Sequence, residues 1–572
     1  MSLLSAAGGS HRRDIGDHRE GSGRLLAEFG PGRPGMVPEN RETEDPAASD
    51  HDAMDLDHEA CYRAISTRDA RFDGRLFIGV TTTGIYCRPV CPARTLRRER
   101  LRFYPSAAAA QAAGFRPCLR CRPETAPDLG VWRGTSNTVA RALTLIDRGG
   151  LDEADVDALA ARLGVGERQL RRLFERHLGA SPIAVAQTRR VLLAKQLIHE
   201  TRLPMSEVAL AAGFGSIRRF NETFRDLFGR APGTLRRGGA AATSAGPSGA
   251  VTLLLRYRPP YDWSAMIAFL RARAIPGIEV VSSEGYARTI EIGGAYGTVR
   301  VRPAEGNALR ADIQFPRLAA LPTIVGRLRR VFDLGADPEV IGAHLAEDPA
   351  LAPLIAARPG LRVPGAWDGF ELAVRALLGQ QITVTAAIGL AGRLAVAHGT
   401  RSAGAGDGLT HVFPRPEQIA RADLSTLGMP RVRAGALSAL ARAMAGDPGI
   451  FGPRQSLEGA VQRLRALPGV GEWTAQYIAM RELREPDAFP AADVGLMRAM
   501  ADGHGRRPSP AELLVRAERW RPWRAYAAQH LWAAGGPASG SEVGDRRAVG
   551  GISRRGSPAR RTPHPARAAA GR

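Results

Sequence analysis

The sequence contains almost no lysine, few cysteines and no long apolar run. Of its 79 basic residues, 78 are arginine, and Lys195 is the single lysine. All five cysteines lie between Cys61 and Cys121, and this clustering excludes a disulfide framework. No stretch of eighteen apolar residues occurs, and the N-terminus lacks the basic-then-apolar pattern of a secretory signal. We therefore expect a cytoplasmic protein without membrane contact.

Length and charge point to several domains and a polyanionic partner. A chain of 572 residues is too long for one compact core and predicts roughly three or four domains. Its net charge of +22 and its pI of about 11.0 favour nucleic acid as the partner. The dominance of arginine beside abundant Ala, Gly and Pro is also typical of G+C-rich coding. Charge alone therefore does not identify the partner.

Three segments have the composition of disordered chain. Residues 1–53 are rich in Gly, Pro and charged residues and poor in aromatics, so they cannot bury enough apolar surface to fold. Residues 238–250, GGAAATSAGPSGA, have the composition of a linker. Residues 537–572 form an arginine-rich tail that either contacts phosphates non-specifically or has no role. Met54, where a patterned segment begins, is an alternative translation start.

Four of the cysteines have the spacing of a metal site. Three residues separate Cys87 from Cys91, two separate Cys118 from Cys121, and twenty-six lie between the pairs. Two close pairs of thiolates are a common ligand set of tetrahedral zinc. Cys61 lies in an apolar helical pattern, which favours a core thiol over a ligand. The sequence therefore predicts one Zn2+ bound by the four paired cysteines.

The residues around these cysteines resemble a known family. The matching segments are FDGR (72–75), TTTGIYCRPVCPAR (81–94) and AAGFRPCLRC (112–121), and they are similar to the N-terminal zinc domain of Ada methylation-response proteins. The resemblance implies a small α+β zinc domain over residues 54–130, in which Cys87 accepts a methyl group from a methylphosphotriester in DNA. Zinc keeps such a thiolate deprotonated at neutral pH. A purely structural zinc is the alternative.

Methyl transfer to Cys87 would change the charge of the zinc site. Four thiolates on Zn2+ give a local charge of minus two, which repels phosphate, and one methylation leaves minus one. The lesion would thereby raise DNA affinity electrostatically, in a stoichiometric rather than a catalytic step. The chain has no PCHR-type acceptor motif, so direct repair of O6-methylguanine is not expected.

An internal repeat predicts two helix-turn-helix units. VDALAARLGVGERQLRRLFERHLGASP begins at Val156, and SEVALAAGFGSIRRFNETFRDLFGRAP begins at Ser206. Each predicts a short helix, a glycine turn at Gly164 or Gly213, and a second helix with arginines on its free face. These arginines are candidate DNA contacts: Arg168, Arg171, Arg172, Arg218 and Arg219. For any single arginine, a solvated helix face is the alternative.

The repeat and its joining helix, around residues 184–199, resemble the AraC-type regulator domain. The resemblance implies an all-α double helix-turn-helix domain over residues 135–237 that binds operator DNA and works with RNA polymerase. Two such units can enter successive major grooves on one face of DNA, about 34 Å apart.

The C-terminal half combines a sheet with a helical region. Four short segments alternate apolar and polar residues and predict an antiparallel sheet: VTLLLRYRPP, YARTIEI, GTVRVRP and ALRADIQF. A helix is predicted from Trp263, and nearly every segment after about Leu318 is helical. We predict an α+β antiparallel-sheet domain over residues 251–365 and an all-α domain over residues 366–536.

The motif LPGVGEWTAQYIAMR, from Leu467, places a tight turn between two helices. Backbone N–H groups at Gly469 and Gly471 can hold one DNA phosphate there, as in a helix-hairpin-helix. An ordinary glycine-rich turn is the alternative. Asp493 follows twenty-two residues beyond Gly471, in AFPAADVGLMRAM.

This combination resembles the helix-hairpin-helix DNA glycosylases. With WDGFELAVRALLGQQITVTAA, RWRPWRAYAAQHLW and the preceding sheet, residues 251–532 are most similar to AlkA-type 3-methyladenine DNA glycosylase II. The resemblance implies that Asp493 is the catalytic carboxylate and that Trp473, Tyr477 and Trp532 form the base pocket. A monovalent cation at the hairpin is a further cofactor candidate. The alternatives are aromatics in the core and Asp493 as a helix cap.

The expected chemistry follows from the substrate and from what the chain lacks. Alkylation at N3 or N7 leaves a purine positively charged, so it departs as a neutral base, and Asp493 would stabilise the oxocarbenium-like transition state. Bifunctional relatives place a lysine where this chain has Trp473, and no lysine follows Lys195, so we expect a monofunctional glycosylase. No cysteine lies beyond Cys121, which excludes the iron-sulfur cluster of some relatives.

Together the resemblances predict a multidomain protein that senses DNA methylation, regulates transcription and excises alkylated bases. The expected partners are double-stranded DNA, as lesion and as operator, and RNA polymerase, and we expect a monomer. The alternative is a transcription regulator whose glycosylase domain is inactive.

Overall fold

The computed structural model describes residues 58–69, 72–126, 137–147, 149–151, 154–236, 250–402, 408–447, 449–452 and 456–535. These residues belong to one compact unit. The predicted disordered segments 1–53 and 537–572 and nearly all of the predicted linker 238–250 lie outside the described residues. Within the described ranges, no helix is both long and apolar enough to cross a membrane.

The four paired cysteines lie in a small α+β module, residues 58–126, which we name the cysteine module. Its helices and strands are α1 (His58–Ser66), β1 (Phe77–Val80), β2 (Ile85–Cys87), β3 (Leu101–Tyr104), α2 (Ala107–Ala112) and β4 (Arg116–Pro117). The strand order is β3-β1-β2-β4, and β2 pairs with β4 in parallel. Cys61 of α1 is buried against Ile78 and Phe103 of the sheet. The α+β prediction and the core position of Cys61 are confirmed.

Residues 137–236 form the helix-turn-helix module. Its helices are α3 (Asn137–Asp147), α4 (Val156–Leu163), α5 (Glu167–Leu178), α6 (Pro182–Glu200), α7 (Met205–Ala211) and α8 (Ile217–Phe228). The predicted turns have positive φ, +67° at Gly164 and +82° at Gly213, a conformation that favours glycine. The joining helix α6 is longer than predicted at both ends, and the Ser181 hydroxyl caps its first turn.

Residues 250–357 form the sheet module. Its elements are β5 (Ala250–Arg256), α9 (Trp263–Arg271), β6 (Glu279–Val281), β7 (Tyr286–Ile292), β8 (Ala295–Ala304), β9 (Ala308–Gln314), α10 (Leu321–Val331), α11 (Pro338–Leu345) and α12 (Ala352–Ala357). The strand order is β5-β9-β8-β7-β6, and every pair is antiparallel. All four predicted strands and the helix at Trp263 are present, and β6 was not predicted.

The sheet and the second helix-turn-helix unit share one hydrophobic core. Leu253 and Val299 of the sheet belong to the same buried cluster as Phe220 and Phe224 of α8. Helix α6 also covers the free edge of β5, because Glu200 accepts the Leu254 N–H at 3.1 Å and Gln196 donates to the Leu254 carbonyl at 3.1 Å. An edge strand with unpaired backbone groups needs such a cover.

Residues 369–535 form the helical module. Its elements are α13 (Gly369–Leu378), α14 (Val384–His398), β10 (Thr400–Arg401), β11 (His411–Val412), α15 (Pro416–Arg421), α16 (Arg431–Gly446), α17 (Leu457–Arg465), α18 (Glu472–Arg481), α19 (Val494–Ala499), α20 (Pro510–Ala517) and α21 (Arg524–Ala534). A single large apolar cluster joins these helices. Arg141 of α3 donates from Nε to the Glu485 carboxylate at 3.0 Å, so a buried ion pair links this module to the helix-turn-helix module.

Candidate metal centre and active site

The chain brings the four paired cysteines to one edge of a small sheet. Cys87 ends β2 and Cys118 follows β4, and parallel strands finish at the same edge. Cys91 and Cys121 lie in the turns that follow. The four Sγ atoms all lie within 4.8 Å of one another. Tetrahedral zinc with Zn–S bonds of about 2.3 Å needs sulfurs about 3.8 Å apart, so this donor set fits Zn2+.

Backbone groups support the sulfurs of the second pair. Cys118 Sγ accepts the N–H of Arg120 at 3.3 Å, and Cys121 Sγ accepts the N–H of Arg88 at 3.4 Å. Such hydrogen bonds orient metal ligands and favour thiolates. Cys118 and Cys121 are buried, whereas Cys87 and Cys91 are half-buried. The first pair is therefore the more accessible side of the cluster.

The single lysine of the chain connects the cysteine module to the helix-turn-helix module. Lys195, in the middle of α6, is fully buried. Its Nζ donates to the Cys118 carbonyl at 3.0 Å and to the Glu124 carboxylate at 2.5 Å. Burial lowers the pKa of Lys195, and the charge of Glu124 opposes that shift. This contact was not predictable from the sequence, because the partners of Lys195 lie more than seventy residues away along the chain.

The candidate DNA-contacting arginines lie on the exposed faces of the second helices. Arg168, Arg171 and Arg172 are exposed on α5, and Arg218 and Arg219 are exposed on α8. Two of them form pairs within their helix, Arg171 with Glu167 at 2.5 Å and Arg218 with Glu222 at 2.7 Å. Exposed pairs of this kind are weak and break readily when a phosphate approaches. Both interpretations of these arginines, as DNA contacts and as residues of a solvated helix face, are compatible with this geometry.

The glycine hairpin joins α17 to α18 as predicted. Gly469 has φ +80°, and Gly471 caps the N-terminus of α18. A Cβ at Gly469 would lie 2.7 Å from the Cβ of Ala436, whereas one at Gly471 would meet open space. Gln380, which the sequence did not single out, donates to the Gly469 carbonyl at 2.9 Å and to the Thr474 hydroxyl at 3.1 Å. The hairpin is therefore fixed from the end of α13.

Asp493 lies between two tryptophans at the start of α19. Its Oδ1 accepts the Leu496 N–H at 3.0 Å and the indole N–H of Trp532 at 2.9 Å. Its Oδ2 accepts the indole N–H of Trp473 at 2.9 Å. The carboxylate thus caps a helix and also faces two predicted pocket residues. The two interpretations of Asp493, as a catalytic carboxylate and as a helix cap, are therefore compatible with each other.

The predicted pocket aromatics form one cluster beside this carboxylate. The rings of Trp473 and Tyr477 are stacked, with centroids 5.2 Å apart and an angle of 8° between planes. Trp473, Tyr477 and Trp532 are all half-buried, so none is a fully enclosed core residue. The cluster offers flat apolar faces next to an anionic group, which is an arrangement suited to a purine base and its sugar.

A buried guanidinium that the sequence did not reveal completes the cluster. Arg481, the last residue of α18, lies with its Cζ 4.9 Å from the Tyr477 ring centroid and 5.6 Å from that of Trp532. Trp473, Tyr477 and Arg481 are four residues apart in turn and so share one face of the helix. This four-residue spacing is the feature of the sequence from which the position of Arg481 beside Tyr477 could have been predicted.

Comparison with known proteins gives the modules their families. Residues 60–124 match the metal binding domain of Ada, and residues 159–238 match a helix-turn-helix domain. Residues 252–368 match the AlkA N-terminal domain, and residues 374–525 match the HhH-GPD superfamily base excision DNA repair protein. The probable bifunctional transcriptional activator/DNA repair enzyme AlkA of Mycobacterium tuberculosis is 43% identical over 481 residues, 84% of this chain and 97% of that protein. The chain belongs to the bifunctional AlkA family.

Partial relatives match the two halves of this bifunctional AlkA protein. DNA-3-methyladenine glycosylase 2 of Escherichia coli is 37% identical over 285 residues, 49% of this chain and 95% of that enzyme. The solved 3-methyladenine DNA-glycosylase from Archaeoglobus fulgidus is 23% identical, with a TM-score of 0.44 over 49% of this chain and 97% of that one. The bifunctional transcriptional activator/DNA repair enzyme Ada of Escherichia coli is 31% identical over 178 residues, 31% of this chain and 49% of that protein. The predicted Ada-type and AlkA-type resemblances are confirmed.

Proposed function

We propose that the helical module excises alkylated bases of the 3-methyladenine type from DNA by hydrolysing the N-glycosidic bond. The observation that carries this proposal is Asp493, whose two carboxylate oxygens each accept an indole N–H from the aromatic cluster. An anionic group beside flat aromatic faces suits a flipped-out nucleotide, with the base on the rings and the sugar at the carboxylate.

The reaction needs little acid assistance when the base is already cationic. The C1′–N bond breaks with its electron pair moving to the base, which leaves as a neutral purine. Asp493 stabilises the positive charge that develops on the sugar and orients water for attack at C1′. The aromatic faces attract an electron-poor base by stacking and cation-π contact. The indole N–H groups of Trp473 and Trp532 hold the carboxylate in place for this role.

The hairpin supplies the contact to the DNA backbone in this proposal. Backbone N–H groups at Gly469 and Gly471, at the N-terminus of α18, would bind one phosphate next to the flipped nucleotide. A monovalent cation is part of the same proposal. The carbonyls of Leu467 and Gly469 accept hydrogen bonds from the Val470 N–H and from Gln380, and each oxygen keeps a second lone pair for a cation.

The test is base release from duplex DNA that carries 7-methylguanine, followed with and without alkali. We expect free base and an abasic site in an uncut strand, because the only lysine is enclosed in α6 and paired with Glu124, far from a Schiff-base role. Strand cleavage before alkali treatment would contradict the monofunctional mechanism. Absence of base release would favour a regulator with an inactive glycosylase domain.

We propose that Cys87 is the methyl acceptor of the cysteine module. Cys87 and Cys91 are half-buried, while Cys118 and Cys121 are buried, so the first pair faces a DNA phosphate more readily, and the resemblance to Ada selects Cys87 within that pair. The thiolate attacks the methyl carbon of a methylphosphotriester, the C–O bond breaks, and the phosphodiester leaves with the electron pair. Zinc, when bound, keeps the sulfur as a thiolate before transfer. The product is a thioether at Cys87 and an unmodified phosphodiester.

Mass spectrometry of the Cys87 peptide after exposure to DNA with methylphosphotriesters checks this step. We expect the wild-type peptide to gain the mass of one CH2 unit, since a methyl group replaces a proton. A Cys87→Ser variant should gain none, and a Cys61→Ala variant should behave as wild type because Cys61 lies in the core. If the wild-type peptide stayed unmodified, the result would contradict methyl transfer to Cys87 and would favour a purely structural role for the zinc.

The same proposal assigns transcription control to the helix-turn-helix module. The exposed arginines of α5 and α8 would contact operator DNA, and methylation of Cys87 would weaken the repulsion between the zinc site and phosphate. RNA polymerase as a partner, a monomeric state and a cytoplasmic location stay predictions from the sequence.

A further inference from the structure

Arg481 is a buried cation that has no carboxylate partner in the described part of the chain. Its side chain is almost fully enclosed, with 2% of the residue exposed. Nη1 donates to the Pro364 carbonyl at 2.8 Å, and Nη2 donates to Gln529 Oε1 at 3.2 Å. Both partners are neutral. Nε is buried without a hydrogen-bond partner among the described residues. Its positive charge is therefore not compensated locally.

Two half-buried arginines of the same region have carboxylate partners. Arg330 pairs with Glu482 at 2.7 Å, and Arg484 pairs with Asp333. Those two arginines serve as paired structural groups. Burying an unpaired charge is costly, so a fold that keeps one beside a pocket points to a use for the charge. Burial lowers the pKa of Arg481 to about 10, which leaves the guanidinium protonated at neutral pH.

The charge of Arg481 acts on the rings of the pocket. Its Cζ lies over Tyr477, Trp532 and Phe269, the last at 4.5 Å. Arg273 lies on Phe269 at 4.0 Å and adds a second positive charge at this end. Burial would favour the neutral phenol of Tyr477, yet the charges of Arg481 and Arg273 outweigh it and lower the pKa of Tyr477. Tyr477 therefore lies in a positive field.

A negative and a positive side chain contact the aromatic cluster at different places. Asp493 lies at the indole N–H edges of Trp473 and Trp532, whereas Arg481 lies over the faces of Tyr477 and Trp532. Glycosidic cleavage moves one electron pair from the sugar to the base. The carboxylate stabilises the positive sugar, and the guanidinium stabilises the electron density that arrives on the base. The negative charge of Asp493 and the positive charge of Arg481 thus both favour the movement of electrons from the sugar to the base.

Two classes of damaged base respond differently to such a field. An uncharged damaged purine departs with negative charge, and the guanidinium stabilises that charge only as the bond breaks. A cationic alkylated purine is repelled by the guanidinium when it binds, and the repulsion disappears as the base becomes neutral. Across about 10 Å, at an effective dielectric constant of about 20, one unit charge changes a rate or an affinity by roughly tenfold.

We propose that Arg481 is a specificity-determining residue of the base pocket, whose charge promotes release of uncharged damaged purines and weakens ground-state binding of cationic ones. This inference rests on the glycosylase function proposed above.

The test compares full-length Arg481→Met, which removes the charge, with Arg481→Lys, which keeps it. Single-turnover release is measured as a function of protein concentration on duplexes carrying hypoxanthine or 7-methylguanine. We expect Arg481→Met to lose roughly tenfold in the maximal rate on hypoxanthine without a change in half-saturating concentration. On 7-methylguanine the maximal rate and the half-saturating concentration should fall by a similar factor, so that their ratio stays close to the wild-type value. Arg481→Lys should keep the wild-type ratio of maximal rate to half-saturating concentration on both bases to within about threefold.

Matched controls separate charge from folding. Arg484→Met removes a half-buried arginine of the same module and should lower thermal stability without changing the relative efficiency, maximal rate over half-saturating concentration, on hypoxanthine and 7-methylguanine. Arg481→Gln, which keeps amide donors at the same place, replaces Arg481→Met if the latter does not fold. Equal losses on both bases in the ratio of maximal rate to half-saturating concentration in the charge-removing variant would overturn the proposal. A wild type that releases neither base would instead contradict the glycosylase function itself.

Discussion

Replacing Asp493 with asparagine is expected to slow base release by about two to four orders of magnitude, the range seen when one positioned catalytic group is removed. The amide keeps the size of the side chain and an oxygen that can accept the Leu496 N–H and the Trp532 indole N–H. It loses the negative charge that would stabilise the sugar. Its NH2 group would also face the Trp473 indole N–H, so a donor meets a donor.

The measurement is single-turnover release of 7-methylguanine by wild type and variant at saturating protein. Asp368→Asn is the matched control, since Asp368 also caps a helix of the helical module, accepting the N–H groups of Phe370 and Glu371. Asparagine caps a helix about as well as aspartate, so both caps are kept. The control should therefore show similar thermal stability to the Asp493 variant and wild-type activity. Equal release by the Asp493 variant and wild type would remove Asp493 from the mechanism.

Local signals explain why much of the fold follows from the sequence. The strands of the sheet module alternate apolar and polar residues, and both helix-turn-helix turns require a glycine with positive φ. The hairpin at Gly469 carries the same kind of signal. The unpredicted strand β6 (Glu279–Val281) has three half-buried residues and no alternation to detect. It forms because β7 offers an edge for pairing.

Long-range contacts between charged residues were not predictable from the sequence. Lys195 stands out as the single lysine, yet nothing near it in sequence indicates that Glu124 and the Cys118 carbonyl enclose its amine. The pairing of Arg141 with Glu485 spans 344 residues. Arg481 looks like one of 78 arginines until its contacts with Tyr477 and Trp532 are known. In a chain with 78 arginines, the residue type alone does not show which of them has a specific role.

Replacing Cys118 with alanine is expected to abolish zinc binding and to unfold the cysteine module. Structural zinc contributes about 10–16 kcal/mol of binding free energy to a small domain, more than a module of this size gains from its core. The apolar core here consists of two small clusters, one around Cys61 and one around Tyr86. Cys61→Ala is the control, because it removes one buried sulfur outside the metal site and should cost only about 1 kcal/mol.

Zinc content and amide hydrogen exchange of the full-length protein measure this difference. We expect one zinc per chain in wild type and in Cys61→Ala, and none in Cys118→Ala, with rapid exchange over residues 58–126 in the last. The loss should spread to α6, because unfolding removes Glu124 and the Cys118 carbonyl from the buried Lys195 amine and leaves that charge without a partner. Retained zinc and unchanged exchange in Cys118→Ala would contradict a four-cysteine site. Faster exchange confined to residues 58–126 would show that Lys195 does not couple the metal centre to the helix that joins the two DNA-reading units.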